Sequence, residues 1–143
     1  MLVGRFGGTT SAPFMEGRIW LFKPQIVHEI SFLVDTGAHT SIIMPSDGLA
    51  AGVDYTDLRF TETSNGVGGE LKSVVVEGMI NFVDSDFMYC YQLKVQIAQC
   101  HEYLKDVPSI IGRDILSKWD LRVSPLDFIL TGHVKAQNNL FKL

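Results

Sequence analysis

The chain has 143 residues, 46% of them hydrophobic, with a formal net charge of −4 and two cysteines. That length suits one domain, which buries about 68–70% of its unfolded surface and needs neither disulfides nor metal to form a core. The acidic balance and the scatter of the 12 Lys and Arg exclude nucleic acid as the main ligand, and no run approaches the roughly 18 apolar residues of a membrane span.

Residues 1–14, MLVGRFGGTTSAPF, are rich in Gly, Ser, Thr and Pro, lack the apolar core of a signal peptide, and read as a flexible tail of a soluble protein. Structure is expected from Met15. MEGRIWLF (15–22) and IVHEISFLV (26–34) make an antiparallel pair turned by KPQ. In the second, Ile26, Ile30, Phe32 and Val34 share one face while Glu29 and Ser31 point the other way. DTGA then leads to a short strand, TSIIM, closed by PSDG. LKSVVVEGMINFV (71–83) and FMYCYQLKVQIAQ (87–99) form a long hairpin around DSD, the second alternating apolar and polar residues most regularly.

A continuous second strand would hold Cys90 and Cys100 roughly 33 Å apart, too far for a disulfide. Two unpaired thiols favour a reducing compartment such as the cytoplasm. After Pro108, SII meets a glycine, a brief amphipathic helix covers about 114–118, and WDLRV and LDFILT form a hairpin around Ser124 and Pro125. Strands dominate, so the chain reads as one all-β domain over 15–131, with a C-terminal tail over 132–143.

Three stretches carry the chemistry: LVDTGA (33–38), GVGG (66–69) and SIIGRD (109–114). Alone, Asp35, Thr36 and Gly37 are ordinary turn formers. In this order, and over about Met15 to Leu130, the three stretches resemble the retropepsins, the retroviral-type aspartic proteases. The resemblance implies a closed β-barrel-like domain with a flap hairpin and one short C-terminal helix. It implies hydrolysis of peptide bonds by two carboxylates sharing one proton, because like charges a few ångström apart cannot both ionise. The charged carboxylate is general base toward a water and the protonated one donates to the scissile carbonyl. Pepsin-like relatives carry two such motifs in one chain. This chain has one, so the resemblance implies a C2 homodimer with both copies of Asp35 on the axis.

The resemblance also assigns the neighbours. Asp35 is the catalyst, Thr36 bonds across the axis, Gly37 lets the backbone turn tightly, and Ala38 completes the loop. Gly66, Val67, Gly68 and Gly69 are the flap tip, which closes over substrate. Gly112 and a buried Arg113 support the active-site loop. The substrate is an extended polypeptide, added as a strand, with apolar pockets lined by Leu33, Ala38, Val67 and Ile110. No metal or other cofactor is implied.

Two features depart from the retroviral pattern. Where an aspartate commonly pairs with the arginine, this chain has His39. A neutral His39 accepts from Arg113 and a protonated one repels it, so acid is expected to weaken the loop or the dimer. The added WDLRVSPLDFILTG hairpin is more similar to the protease domains of the ubiquitin-shuttle family and of bacterial retropepsin-like proteins, which places the main interface at 121–130. Two rival readings stay open: a catalytically silent fold that binds peptides or dimerises, and an unrelated ligand-binding β-barrel. His28, His101 and His133 lack metal-ligand spacing, Trp20 and Trp119 read as packing, and Asp47, Asp54, Asp84 and Asp86 read as turn residues.

Overall fold

The computed structural model describes residues 1–66 and 69–143. From the N-terminus come β1 (Leu2–Val3), β2 (Arg5–Gly7), β3 (Ala12–Phe22), β4 (Gln25–Val34) and β5 (Ile42–Ile43), then a helix, α1 (Pro45–Ala51). Next are β6 (Glu62–Gly66), β7 (Gly69–Val83), β8 (Phe87–Ala98) and β9 (Ile110–Ile111). The chain ends with α2 (Arg113–Leu116), β10 (Trp119–Ser124), β11 (Ile129–Val134) and β12 (Asn139–Lys142).

The long strands form where apolar residues alternate. β3 pairs antiparallel with β4 from Phe14↔Leu33 to Phe22↔Gln25, and β7 with β8 from Ser73↔Ala98 to Val83↔Met88. β3 also pairs with β7, Ile19 opposite Ile80. The two short strands close the ring: β9 lies parallel to β4 and antiparallel to β5, and β5 lies parallel to β8. The order β8-β5-β9-β4-β3-β7 therefore returns to β8 and makes the closed barrel that the motifs imply. Its inside is filled by Ile19, Leu21, Ile30, Phe32, Ile80, Phe82, Tyr91, Val95, Ile97 and Ile111.

A separate sheet, β1-β11-β10, seals one end. Trp119 joins the two: its ring stands edge-on to Phe82 at 5.0 Å between centroids, and its Nε1–H donates to Tyr91 Oη at 2.7 Å. Burial pushes the Tyr91 phenol up to about 12, so it stays neutral in this contact. No helix among the described residues is long and apolar enough to cross a membrane.

Four expectations are corrected. Residues 1–14 are not a tail: they form β1, β2 and the start of β3, and Leu2 is 1% exposed opposite Gly132. The glycines that suggested flexibility include Gly4, where a Cβ would lie 2.5 Å from the Phe14 carbonyl oxygen. Glycine there permits a close crossing of strands. Residues 132–143 are not a tail either, since β11 runs to Val134 and β12 pairs with β8 from Asn139↔Cys90 to Lys142↔Phe87. PSDG does not close a strand but opens α1, with Pro45 in its first turn and Gly52 ending it at φ 92°. The helix expected at 114–118 is α2, one residue earlier and one turn long.

Candidate active site

β4 ends at Val34, and the Asp35 N–H still donates to Ile111 O at 3.1 Å, prolonging the pairing with β9 by one residue. The chain then turns. The Gly37 N–H donates to Asp35 Oδ1 at 2.9 Å and the Ala38 N–H to Asp35 O at 3.2 Å. It returns as β5 on the opposite side of β9, so β9 is held between the strands that lead into and out of the loop. Asp35 is half-buried, and Thr36 and Gly37 are exposed. Among the described residues only Oδ1 of the carboxylate is engaged.

Residues 112–114 clamp this loop. Arg113 Nη1 donates to Thr36 O at 2.9 Å, and the Arg113 backbone N–H to Ala38 O at 2.9 Å. Asp114 takes both the Ser41 N–H (2.9 Å) and the Ser41 hydroxyl (2.7 Å), while Ser41 Oγ accepts from the Gly112 N–H at 3.0 Å. A Cβ at Gly112 would sit 2.6 Å from the Thr40 carbonyl, so the two segments meet backbone to backbone. A second clamp lies below. Ser109 donates its hydroxyl to Asp47 Oδ2 at 2.6 Å, accepts the Met44 N–H at 2.9 Å, and takes the Leu33 N–H on its carbonyl at 2.8 Å.

The structure brings Asp35, Thr36, Gly37, Ala38, Gly112 and Arg113 together. Two details of the sequence reading change. Arg113 is exposed, not buried, and braces the loop through its carbonyls. His39 is exposed and makes no hydrogen bond to Arg113 among the described residues, because the guanidinium goes to Thr36 O instead. β6 and β7 pair from Glu62↔Ser73 to Gly66↔Gly69, so those two glycines end a hairpin; Val67 and Gly68 lie outside the described residues.

Of the expected pocket residues, Leu33, Ala38 and Ile110 are half-buried. Ile110 belongs to a second apolar cluster, distinct from the core, with Ile42, Met44, Ala98, Leu104, Leu71 and Val107. Sequence reasoning missed Ser41, Asp114 and Ser109 altogether, and took Asp47 for a turn residue although it stands in the first turn of α1. Their one signal is position: Ser109 and Asp114 lie within the SIIGRD stretch, and Ser41 and Asp47 lie within four residues of β5.

A carboxylate presented this way, half-exposed with one oxygen disengaged, suits proton transfer to and from water. It is a single such group on a rigid loop. A family model described as aspartyl protease matches residues 26–115, from β4 through α2, which include the Asp35 loop, the β6–β7 hairpin and residues 109–114. A retropepsin-like aspartic protease from Rickettsia conorii is similar in structure with a TM-score of 0.55, at 17% identity over 91% of this chain and 86% of that one. The EIAV protease complexed with the inhibitor HBY-793 gives a TM-score of 0.51, at 19% identity over 78% of this chain and 90% of that one. Identities this low show a shared fold. Curated proteins compared by sequence give no match.

Proposed function

The chain belongs to the aspartyl protease family, and we propose that it is an endopeptidase working as a C2 homodimer, with one Asp35 from each subunit. The observation that carries this is the single Asp-Thr-Gly loop, which supplies one carboxylate, with one oxygen disengaged, where the chemistry needs two. In the dimer the ionised Asp35 takes a proton from water as its oxygen attacks the scissile carbonyl carbon. The protonated Asp35 gives its proton to the carbonyl oxygen. A proton then passes to the amine nitrogen as the tetrahedral diol collapses and the C–N bond breaks. The two apparent pKa values of this process belong to the pair of carboxylates jointly.

Several features support the reading. Leu126 is 94% and Phe128 85% exposed at the tip of the β10–β11 hairpin, an apolar protrusion that a second copy would cover. Leu71, Val107 and Ile110 pack against a buried apolar cluster that includes Ile42, and Ile110 pairs with Leu33 just before the loop. On this reading Gly66, Val67, Gly68 and Gly69 would be the flap over an extended substrate, which would pair as an added strand; Val67 and Gly68 lie outside the described residues. The domain spans the whole chain rather than 15–131, since both ends are built into sheets. Both cysteines are free, which fits a reducing compartment.

Cleavage of a peptide library from pH 4 to 7, with and without pepstatin, tests the proposal. Asp35→Asn is expected to lower cleavage by about 10²–10⁴-fold, the usual worth of a positioned acid or base, while sedimentation still shows a dimer. A wild type that binds peptides without cutting them would assign the fold to peptide binding instead.

A further inference from the structure

β7 and β8 pair as far as Ser73↔Ala98, and β6 begins opposite the same point, at Glu62↔Ser73. Outward from Ser73 the β6–β7 hairpin therefore leaves the barrel as two strands, an arrangement only marginally stable alone. Among the described residues, two hydrogen bonds from elsewhere hold it. At its base the Gln99 N–H donates to Lys72 O at 2.9 Å. Farther out, next to the pair Gly66↔Gly69, the Tyr103 hydroxyl donates to Glu70 O at 2.8 Å.

Tyr103 is set up for this contact by its neighbours. It lies in a short 3-10 helix, Glu102–Leu104, whose N-cap His101 accepts the Tyr103 N–H on Nδ1 at 3.4 Å. The His101 and Tyr103 rings lie 4.2 Å apart between centroids. Leu104, 6% exposed, roots this turn in the buried cluster against which Leu71 also packs. Packing thus fixes the base of the hairpin and the foot of the turn, but a cavity of ≈ 290 Å³ lies between residues 70–72 and Gln99, His101 and Tyr103. The phenol joins its two walls. Tyr103 is itself 49% exposed, and one neutral hydrogen bond within reach of water shifts an equilibrium only about two- to tenfold. Such a bond can break and re-form as a strand moves, whereas the serines of the two loop clamps are buried.

We propose that Tyr103 is a positioning residue: its hydroxyl latches the outer part of β7 and so sets how firmly the hairpin holds a bound peptide. This rests on the reading of the β6–β7 hairpin as the flap of an endopeptidase. The latch touches neither Asp35 nor a reacting atom, so it acts on peptide retention and leaves proton transfer alone.

Tyr103→Phe tests it, removing the hydroxyl and keeping the ring beside His101. Amide hydrogen exchange, followed residue by residue in the 15N-labelled protein, should quicken about two- to tenfold at residues 62–64 and 70–72, with β3 and β4 unchanged. For a peptide that the wild type cleaves, KM should rise by a similar factor while kcat stays within about twofold, the pattern of a lost binding interaction. A merely structural role would instead quicken exchange in the barrel strands or lower kcat. Unchanged exchange in the hairpin would overturn the latch whatever the kinetics show. Faster exchange with unchanged KM, or a fall in kcat at constant KM, would overturn its part in peptide retention. Should the wild type cleave no peptide, the endopeptidase reading fails by itself, and the latch on β7 stands or falls on exchange alone.

Discussion

Ser41 is 1% exposed, and its hydroxyl donates to Asp114 while accepting from Gly112, so the outgoing end of the loop that presents Asp35 is tied to this carboxylate. Asp114→Ala leaves the Ser41 N–H and O–H without acceptors where water barely reaches. That costs about 1–3 kcal/mol, or a fall in Tm of roughly 2–4 °C per kcal/mol for a chain near this size. Calorimetry should show that fall, with Asp114→Asn losing less. Asp84 carries a second prediction. Burial alone pushes its carboxyl up, but hydrogen bonds from the Met1 amine, the Asp86 N–H, the Tyr89 hydroxyl and the Phe87 N–H outweigh it and hold the pKa well below 3.8. The unfolded chain therefore takes up the proton first as pH falls. The stability that these bonds provide is full at neutral pH, above the unfolded pKa, and is lost as pH drops through the lower native value. Asp84→Asn should accordingly lower Tm at pH 7 and cost progressively less toward pH 2; a deficit that does not shrink would contradict this. The residues legible in the sequence were local ones, Asp35 to Ala38, because a turn and its carboxylate are contiguous. Asp114 and Asp47 were not, because their serine partners lie 73 and 62 residues away. His39 misled because the guanidinium has a carbonyl acceptor nearer in the loop itself.

The elements divide by length in the same way. β3, β4, β7 and β8 each run ten residues or more, long enough for period-two alternation to declare them. β5 and β9 have two residues each, too few for any pattern, and only the motifs around them point to strands. α1 was hidden by its own composition: Pro, Ser, Asp and Gly are turn formers, yet a proline in the first turn is also how helices begin. β1 and β2 were hidden by glycines that serve close packing. The crossing of β9 under the Asp35 loop, invisible to periodicity, is where the fold becomes a site. Gly112→Ala tests it. Its Cβ would meet the Thr40 carbonyl carbon and oxygen at 2.6 Å, backbone atoms that move only if the loop moves. A cost of about 1–3 kcal/mol is expected for such overpacking. Cleavage should fall more steeply than stability, because the displaced part is the one that orients Asp35. Equal cleavage by a folded Gly112→Ala protein would show that the loop tolerates the shift.

At the scale of the whole molecule, the proposed dimer with one Asp35 from each chain would make activity a property of association. Below the dimer dissociation constant, specific activity should fall in proportion to enzyme concentration, whereas a self-sufficient monomer would keep it constant on dilution. The β10–β11 hairpin is where that association is expected. Phe128 is 85% exposed and sits at φ 55°, a backbone conformation that bulky residues rarely adopt. An aromatic side chain held in the left-handed region and left 85% exposed is a strained feature of the kind that clusters at functional surfaces. Leu126→Glu and Phe128→Glu should yield folded monomers without cleavage at low micromolar concentration, while Leu49→Glu, also at an exposed apolar position, should leave the dimer intact. Phe128→Gly separates strain from contact: it relaxes the backbone and should raise the Tm of the dissociated chain, yet weaken the dimer by removing the ring. If sedimentation shows Phe128→Gly and Phe128→Glu to be as dimeric as the wild type, the two copies of Asp35 must be joined by another surface.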